Sequence, residues 1–201
     1  MLTAPTRHIT VRALPDEQPA VAGVLARAFY DDPVFMHLLP DDASRLQRSE
    51  QLFAGMLLRA AAPHDEVHTT HEHTGAAIWF PPGHVHLSVL QQLRYLPTMV
   101  RVGRRDLPRI LRCMTTMEEQ HPHEPHFYLN ILGTDPERQG EGIGSALLRA
   151  VLDRCDDEGI PAYLEATSPR NAGLYERHGF RTTGEIVLPD GPTMWAMWRD
   201  A

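Results

Sequence analysis

Cysteine is scarce in this chain of 201 residues; only Cys113 and Cys155 occur. Two isolated cysteines make neither a disulfide framework nor a paired metal motif. No run reaches the roughly 18 apolar residues of a membrane span. Residues 1–11 lack the apolar stretch with a positive flank that marks a secretory signal, so the expectation is a reduced, cytoplasmic location. Positive charge is also short. Lys+Arg total 19 against 26 Asp+Glu, a formal net charge of −7. That disfavours a general nucleic-acid binder, which needs concentrated positive charge. A local phosphate site is still open. Repeats and low-complexity tracts are absent. What is plentiful is histidine, with 12 copies.

The apolar spacing predicts a mixed α/β chain. Residues 8–14 alternate as a strand, and residues 16–29 have helical spacing. Asp31-Asp32-Pro33 breaks that helix. A short turn over 34–39 and a helix over 42–62 follow, the latter with Leu46, Phe53, Met56 and Leu57 as its apolar stripe. Residues 66–72 and 76–80 read as a hairpin. Residues 87–120 read as helical, punctuated by Pro97 and Pro108. Leu87, Leu90, Leu93 and Leu96 form one stripe there, and Leu107, Ile110, Leu111 and Met114 another. Arginines between them make either a solvated face or a local anion site. Residues 127–132 form a strand and 143–157 a periodic helix closed by Gly159. Residues 162–167 form a strand and 171–178 a short helix. Residues 180–188 and 193–198 close the chain as a strand pair.

Between the 127–132 strand and the 143–157 helix lies Arg138-Gln139-Gly140-Glu141-Gly142-Ile143-Gly144. Alternate glycines let the backbone come close to a ligand and take unusual dihedrals. The free N–H groups of the helix start favour an anion, with phosphate or pyrophosphate as the natural guest. The spacing is G-x-G-x-G, so the dinucleotide fingerprint G-x-G-x-x-G is not matched. Gly144-Ser145 follows without the lysine of a P-loop.

Gln139-x-x-Gly142-x-Gly144 resembles the acyl-CoA pyrophosphate loop of the GNAT-superfamily N-acetyltransferases. Asn171 and Leu174-Tyr175-Glu176-Arg177-His178-Gly179-Phe180 are similar to that family's late helix and the strand entry behind it. From Glu124-Pro125 to Trp198 the chain most resembles the puromycin N-acetyltransferases and their actinobacterial relatives. The resemblance implies one domain over 1–201 with a splayed mixed sheet flanked by helices. It places a helical insertion at 84–124 and an acetyl-CoA-binding core at 126–188. It implies acetyl-CoA as cosubstrate without a metal. Backbone groups of Leu132, Gly133 and Thr134 would hold the pantetheine arm. Gln139, Gly140, Glu141, Gly142, Ile143, Gly144 and Ser145 would hold the pyrophosphate, and Asn171 would touch the arm. Many relatives carry Lys or Arg at the position of Glu141. A carboxylate there repels pyrophosphate unless it turns into water.

Acetyl transfer from a thioester needs a neutral amine, a polarised carbonyl and a proton for the leaving thiolate. Backbone N–H groups near Leu132 and Gly133 are candidates for the polarising role. Tyr175 is the candidate general acid, since a phenol of pKa near ~10 keeps its proton at neutral pH. The alternative is a ring that only packs. Glu165 is the candidate base, acting through water, or else a structural acceptor. Tyr30, Asp31 and Asp32 either line an acceptor pocket that attracts an ammonium or simply begin a helix. The histidine clusters 68/71/73, 84/86 and 121/123/126 lack cysteine partners and are expected in solvent rather than on zinc. His126 or His84 is an alternative acceptor-pocket base. The expected activity is direct acetylation of a primary amine on a small molecule, such as a puromycin-like aminoacyl nucleoside, which would confer antibiotic resistance. A protein lysine or N-terminal acetyltransferase and a non-catalytic CoA-binding module are the alternatives. Neither nucleic acid nor membrane is expected as a partner, and the chain is expected as a monomer or homodimer.

Overall fold

The computed structural model describes residues 8–64, 66–85 and 88–201. His86, Leu87 and the side chains of Met56 and Leu57, all singled out above, lie outside the described residues. The described residues include one seven-stranded sheet in the order β1-β2-β3-β4-β5-β7-β6. The strands are β1 (Thr10–Arg12), β2 (Val67–Thr70), β3 (Gly75–Phe80), β4 (Phe127–Thr134), β5 (Ala162–Ala166), β6 (Arg181–Val187) and β7 (Thr193–Arg199). Neighbours run antiparallel except β4 and β5, which are parallel.

The helices are α1 (Gln18–Ala28), α2 (Pro33–Leu38), α3 (Asp42–Leu52), α4 (Leu58–Ala61), α5 (Val89–Gly103), α6 (Leu107–Glu119), α7 (Ile143–Glu158) and α8 (Pro169–Glu176). A π-helical turn over Phe53–Leu57 joins α3 to α4. Ends are set by local chemistry. Asp32 caps α2, Ser88 and Gln91 form a capping box on α5, and Ser168 caps α8. These side chains satisfy N–H groups that a helix start leaves unpaired.

Each sheet face carries its own core. On one face Val21, Leu25, Phe53 and Leu58 pack against Ile78, Tyr128, Ile131 and Tyr163. On the other, Leu147, Leu148 and Val151 of α7 pack against Trp79, Leu129 and Leu164. Two glycines let helices reach the sheet. A Cβ on Gly133 would sit 2.9 Å from Ala28 Cβ, and one on Gly75 2.8 Å from Ile143 Cγ2.

Three expected apolar faces differ from the structure. Leu46 is exposed, and the buried face of α3 carries Arg45, Arg48 and Ser49 instead. On α5, Leu90 and Leu93 are 77% and 62% exposed, and the buried residues are Tyr95 and Val102. On α6, Leu111 and Met114 are exposed while Ile110 and Cys113 are buried. Helical periodicity picks out a stripe, but it cannot choose between two stripes on one helix.

The polar face of α3 holds the helical layer together. Arg48 Nη2 lies 2.8 Å from Asp106 Oδ2, with both side chains buried. Arg48 also donates to the carbonyls of Val102 (2.7 Å) and Gly103 (3.0 Å). Arg109 donates to the other oxygen of Asp106 at 2.7 Å. Burial acts to raise the Asp106 carboxyl, but the two guanidinium groups outweigh it and hold it below its ordinary value. Stability from this pair is therefore fully present above the ordinary carboxylate pKa of ~3.9, and is lost as pH falls through the depressed value. Removing one partner strands the other, at a cost of about 3–5 kcal/mol. Urea unfolding at neutral pH should show that loss for Asp106→Ala, and the loss should shrink in acid.

Candidate active site

The site begins where the parallel pair ends. β4 and β5 are in register at Phe127–Ala162, Tyr128–Tyr163 and Leu129–Leu164. Past those pairs β4 continues only with β3, and β5 only with β7. A slot opens between Asn130–Thr134 on one side and Glu165–Ala166 on the other. A bulge at Asn130 sits at the parting point, where the register with β3 steps from Trp79–Leu129 to Ile78–Ile131. The extra residue puts Tyr128 and Ile131 on the same face of the sheet.

The far part of β4 presents backbone to the slot. Asp135 N–H donates to Thr74 O, toward β3. Strand alternation then turns Gly133 the same way and aims the N–H and C=O groups of Leu132 and Thr134 into the slot. Gly133 thus differs from the other two candidates. Its bare Cα admits α1, and its backbone belongs to the β3 ladder.

At the end of β4 the chain enters the glycine loop. Gly140 and Gly142 have φ of 85° and 87°. Gly142 begins α7 with no side-chain cap, and no acidic residue lies in the first turn. The N–H groups over Ile143, Gly144 and Ser145 are oriented as an anion cradle. Glu141 turns away to Arg138, whose Nε donates to both carboxylate oxygens at 3.0 and 2.9 Å. Arg138 also reaches Glu72. The repulsion expected from Glu141 is therefore largely neutralised within the loop. Gln139 follows a 3-10 turn capped by Asp135. Ser145 Oγ lies 3.0 Å from His178 Nε2.

Across the slot, α8 carries Asn171 and Tyr175. Asn171 Nδ2 donates to Thr167 Oγ1 at 3.4 Å, and Thr167 Oγ1 donates to Asp32 Oδ2 at 2.5 Å. The other Asp32 oxygen accepts from the N–H groups of Val34 (2.9 Å) and Phe35 (3.1 Å). Asp32 is thus engaged as a helix cap and as a tie to the end of β5. Burial raises its carboxyl, partly offset by these hydrogen bonds. Asp31 is exposed. Tyr30 faces α3, with the Arg45 guanidinium 5.2 Å from its ring centre and its hydroxyl raised chiefly by Asp42. Tyr175 is buried edge-to-face against Phe180. Burial, and then Asp32, push its phenol well above the ordinary value, so it holds its proton across the working pH range.

Glu165 lies at the parting point, and its side chain is only 4% exposed. Tyr128 Oη donates to Glu165 Oε2 at 2.8 Å, and Asn130 Nδ2 donates to Tyr128 Oη at 3.1 Å. Burial and Glu165 raise the phenols of Tyr128 and Tyr163. His121 Nδ1 is 3.5 Å from Glu165 Oε1. His68, His121 and His126 are buried, unlike the solvated histidines expected. His84 is exposed and stacks on His64 at 4.3 Å. Among the described residues no His, Cys, Asp and Glu side chains group as a metal site. Tyr128, Asn130 and Thr167 were not singled out from the sequence as site residues, and His121 was expected only as a solvated histidine. Only for Tyr128 did a signal exist, since it sits in the strand that opens the glycine loop.

The acetyltransferase (GNAT) family model matches residues 90–180. An N-acetyltransferase of Schizosaccharomyces pombe is 27% identical over 83% of this chain and 72% of its own length. A mycothiol acetyltransferase of Acidothermus cellulolyticus is 41% identical, but the match spans only 34% of this chain and 22% of that enzyme. A solved Corynebacterium glutamicum protein, described as histone acetyltransferase HPA2 and related acetyltransferase, superposes with a TM-score of 0.73. It is 28% identical over 98% of both chains. The polyamine N-acetyltransferase of Drosophila melanogaster shares the fold, with a TM-score of 0.64 and 15% identity over 96% of this chain and 99% of its own. In its splayed sheet and glycine loop, and by these matches, the chain is similar to the GNAT-type N-acetyltransferases, a family that uses acetyl-CoA.

An alanine at Gly142 meets no neighbour within 4 Å, yet its φ is left-handed. Gly142→Ala should therefore cost about 1–2 kcal/mol through backbone strain alone. Chemical denaturation of the unliganded protein measures this directly.

Proposed function

We propose that this enzyme acetylates the primary amine of a small cationic molecule by direct attack, with Glu165 as general base and Tyr175 as general acid. The carrying observation is the buried Glu165–Tyr128 pair at the point where β4 and β5 part. The residues present suit acetyl-CoA, because the cradle at α7 is uncapped and Leu132 and Thr134 offer free backbone groups along the slot. When bound, acetyl-CoA supplies an activated thioester. Gln139, Gly140, Glu141, Gly142, Ile143, Gly144 and Ser145 would surround its pyrophosphate through the loop backbone, and Asn171 would flank its arm.

Glu165 takes a proton from the incoming ammonium, directly or through one water. Tyr175 holds a proton for the departing sulfur on the opposite wall. Neither thiol of the chain suits an acyl-enzyme route. Both cysteines are buried, and burial pushes Cys155 up to about 12. Net negative charge draws in a cationic amine. Asp31, an exposed carboxylate, would attract the ammonium, and Tyr30 and Asp32 on the same α1–α2 connection would help line the acceptor pocket.

A puromycin-like aminoacyl nucleoside is the first acceptor to test, on the strength of the resemblance in the cofactor half. Agreement with polyamine N-acetyltransferase in fold makes short polyamines the second. Protein amines are the alternative, suggested by the printed description of the Corynebacterium structure. A thiol-release assay over puromycin, polyamines and a lysine peptide separates these readings. Turnover on the peptide alone would reject the small-molecule reading. Glu165→Gln should lower kcat about 100-fold or more. Tyr175→Phe should lower kcat with acetyl-CoA affinity, measured by calorimetry, nearly unchanged. An unaltered kcat would remove that residue from its role.

A further inference from the structure

The helical layer is rich in arginine, and the fold uses only part of that charge. Residues 89–112 hold six arginines and a single acid, Asp106. Arg109 pairs with Asp106, and Arg112 approaches Asp190. Arg101 is exposed and, among the described residues, meets neither a carboxylate nor a hydrogen-bond acceptor. The same holds for Arg59 on α4.

One open cleft brings these two side chains together. It lies between the α3–α4 segment and α5, encloses about 490 Å³ of empty space, and counts Gln51, Gly55, Arg59, Thr98 and Arg101 in its lining. Packing sets its walls. α5 leans on the π-helical turn at Gly55, where a Cβ would stand 2.8 Å from Thr98 Cγ2. The buried Arg48 holds the end of α5 through the Val102 and Gly103 carbonyls. π-helical turns are rare and recur at functional sites.

Two guanidinium groups on one cleft repel each other, and no protein group offsets that repulsion. The chain is not short of acids, with a net charge of −7, and Arg27, Arg138 and Arg154 each pair with one. No acid lines this cleft. The missing counter-charge must come from outside. Guanidinium forks match phosphate oxygens, and two of them match the charge of nearly −2 on a phosphate monoester. The Thr98 hydroxyl and the Gln51 amide add neutral donors.

We propose that Arg59 and Arg101 form a binding site for a phosphate monoester, separate from the glycine loop. The loop would hold an anion by backbone N–H groups at the start of α7, whereas this cleft uses side chains of α4 and α5. Of the two sequence readings of the α5 arginines, Arg101 takes the anion site. On the neighbouring face of α5, Leu93, Leu96 and Val100 are exposed at i, i+3, i+7 spacing. An apolar part of the ester can rest there, so the phosphate can belong to a free metabolite or to a lipid headgroup.

The test is calorimetry with phenyl phosphate on the full chain, with and without saturating acetyl-CoA, and with benzoate as the singly charged counterpart. Phenyl phosphate should bind one site whether or not acetyl-CoA is present, and more tightly than benzoate. Arg59→Gln and Arg101→Gln should each weaken it about tenfold or more. Arg105→Gln, an exposed arginine of the same layer outside the cleft, should leave it unchanged. Melting curves establish that each variant is folded. Absence of binding would overturn the site. So would loss of binding in acetyl-CoA, which places the phosphate in the glycine loop. Equal weakening by Arg105→Gln would reduce the effect to diffuse charge and overturn it as well. Flotation with phosphatidylcholine vesicles containing phosphatidic acid separates the two sources. Binding that the same two substitutions abolish assigns the site to a lipid headgroup. No flotation beside intact phenyl phosphate binding assigns it to a free monoester.

Discussion

β4 and β5 can remain paired for only three residues, and the arrangement of the site depends on that limit. A parallel pair needs continuous lateral hydrogen bonding. Here the Asn130 bulge turns β4 away while β5 stays with β7. The parted edges leave backbone donors and acceptors unpaired in the sheet. Such groups are costly unless water or a ligand meets them. The slot is therefore a place where an extended chain, such as a pantetheine arm, can complete a ladder that the protein leaves open.

The two walls of the slot differ in chemistry because different elements feed them. One wall ends in the glycine loop, whose left-handed residues and uncapped helix start aim N–H groups outward. The other wall belongs to α8 and the end of β5, where Asp32, Thr167 and Asn171 tie the α1–α2 connection to the sheet. Tyr175 sits on that wall as a phenol kept protonated by burial. Glu165 closes the apex with Tyr128 and His121. The proposed acid and base are thus held by separate elements, and each can be tuned by its own surroundings.

The helical layer over residues 89–119 has a different task. Its corner is tied by Arg48, Asp106 and Arg109 beside a small apolar cluster of Leu39, Val102 and Ile110. All 19 Lys+Arg residues are arginine, and the planar guanidinium suits this role. Arg48 meets one carboxylate and two carbonyls at once. The layer also sets where α6 ends, and therefore where His121 enters the core.

Local constraints were legible in the sequence. A glycine at 142 is demanded by left-handed backbone within a few residues. The strand-loop-helix order and the caps follow from neighbouring side chains, and Glu165 and Tyr175 stand in recognisable surroundings. The buried arginines of α3, the outward stripe of α5 and the Glu165–His121–His126 contacts were not legible. Each is decided by which distant element arrives opposite. His121 follows α6 and Glu165 lies on β5, with β4, the glycine loop and α7 between them. No periodicity links such positions. Only the register of β4 on β5, with the loop from α6 folded over it, brings them within reach. The sequence by itself determined where backbone can bind an anion. The tertiary structure decided which buried polar side chains meet.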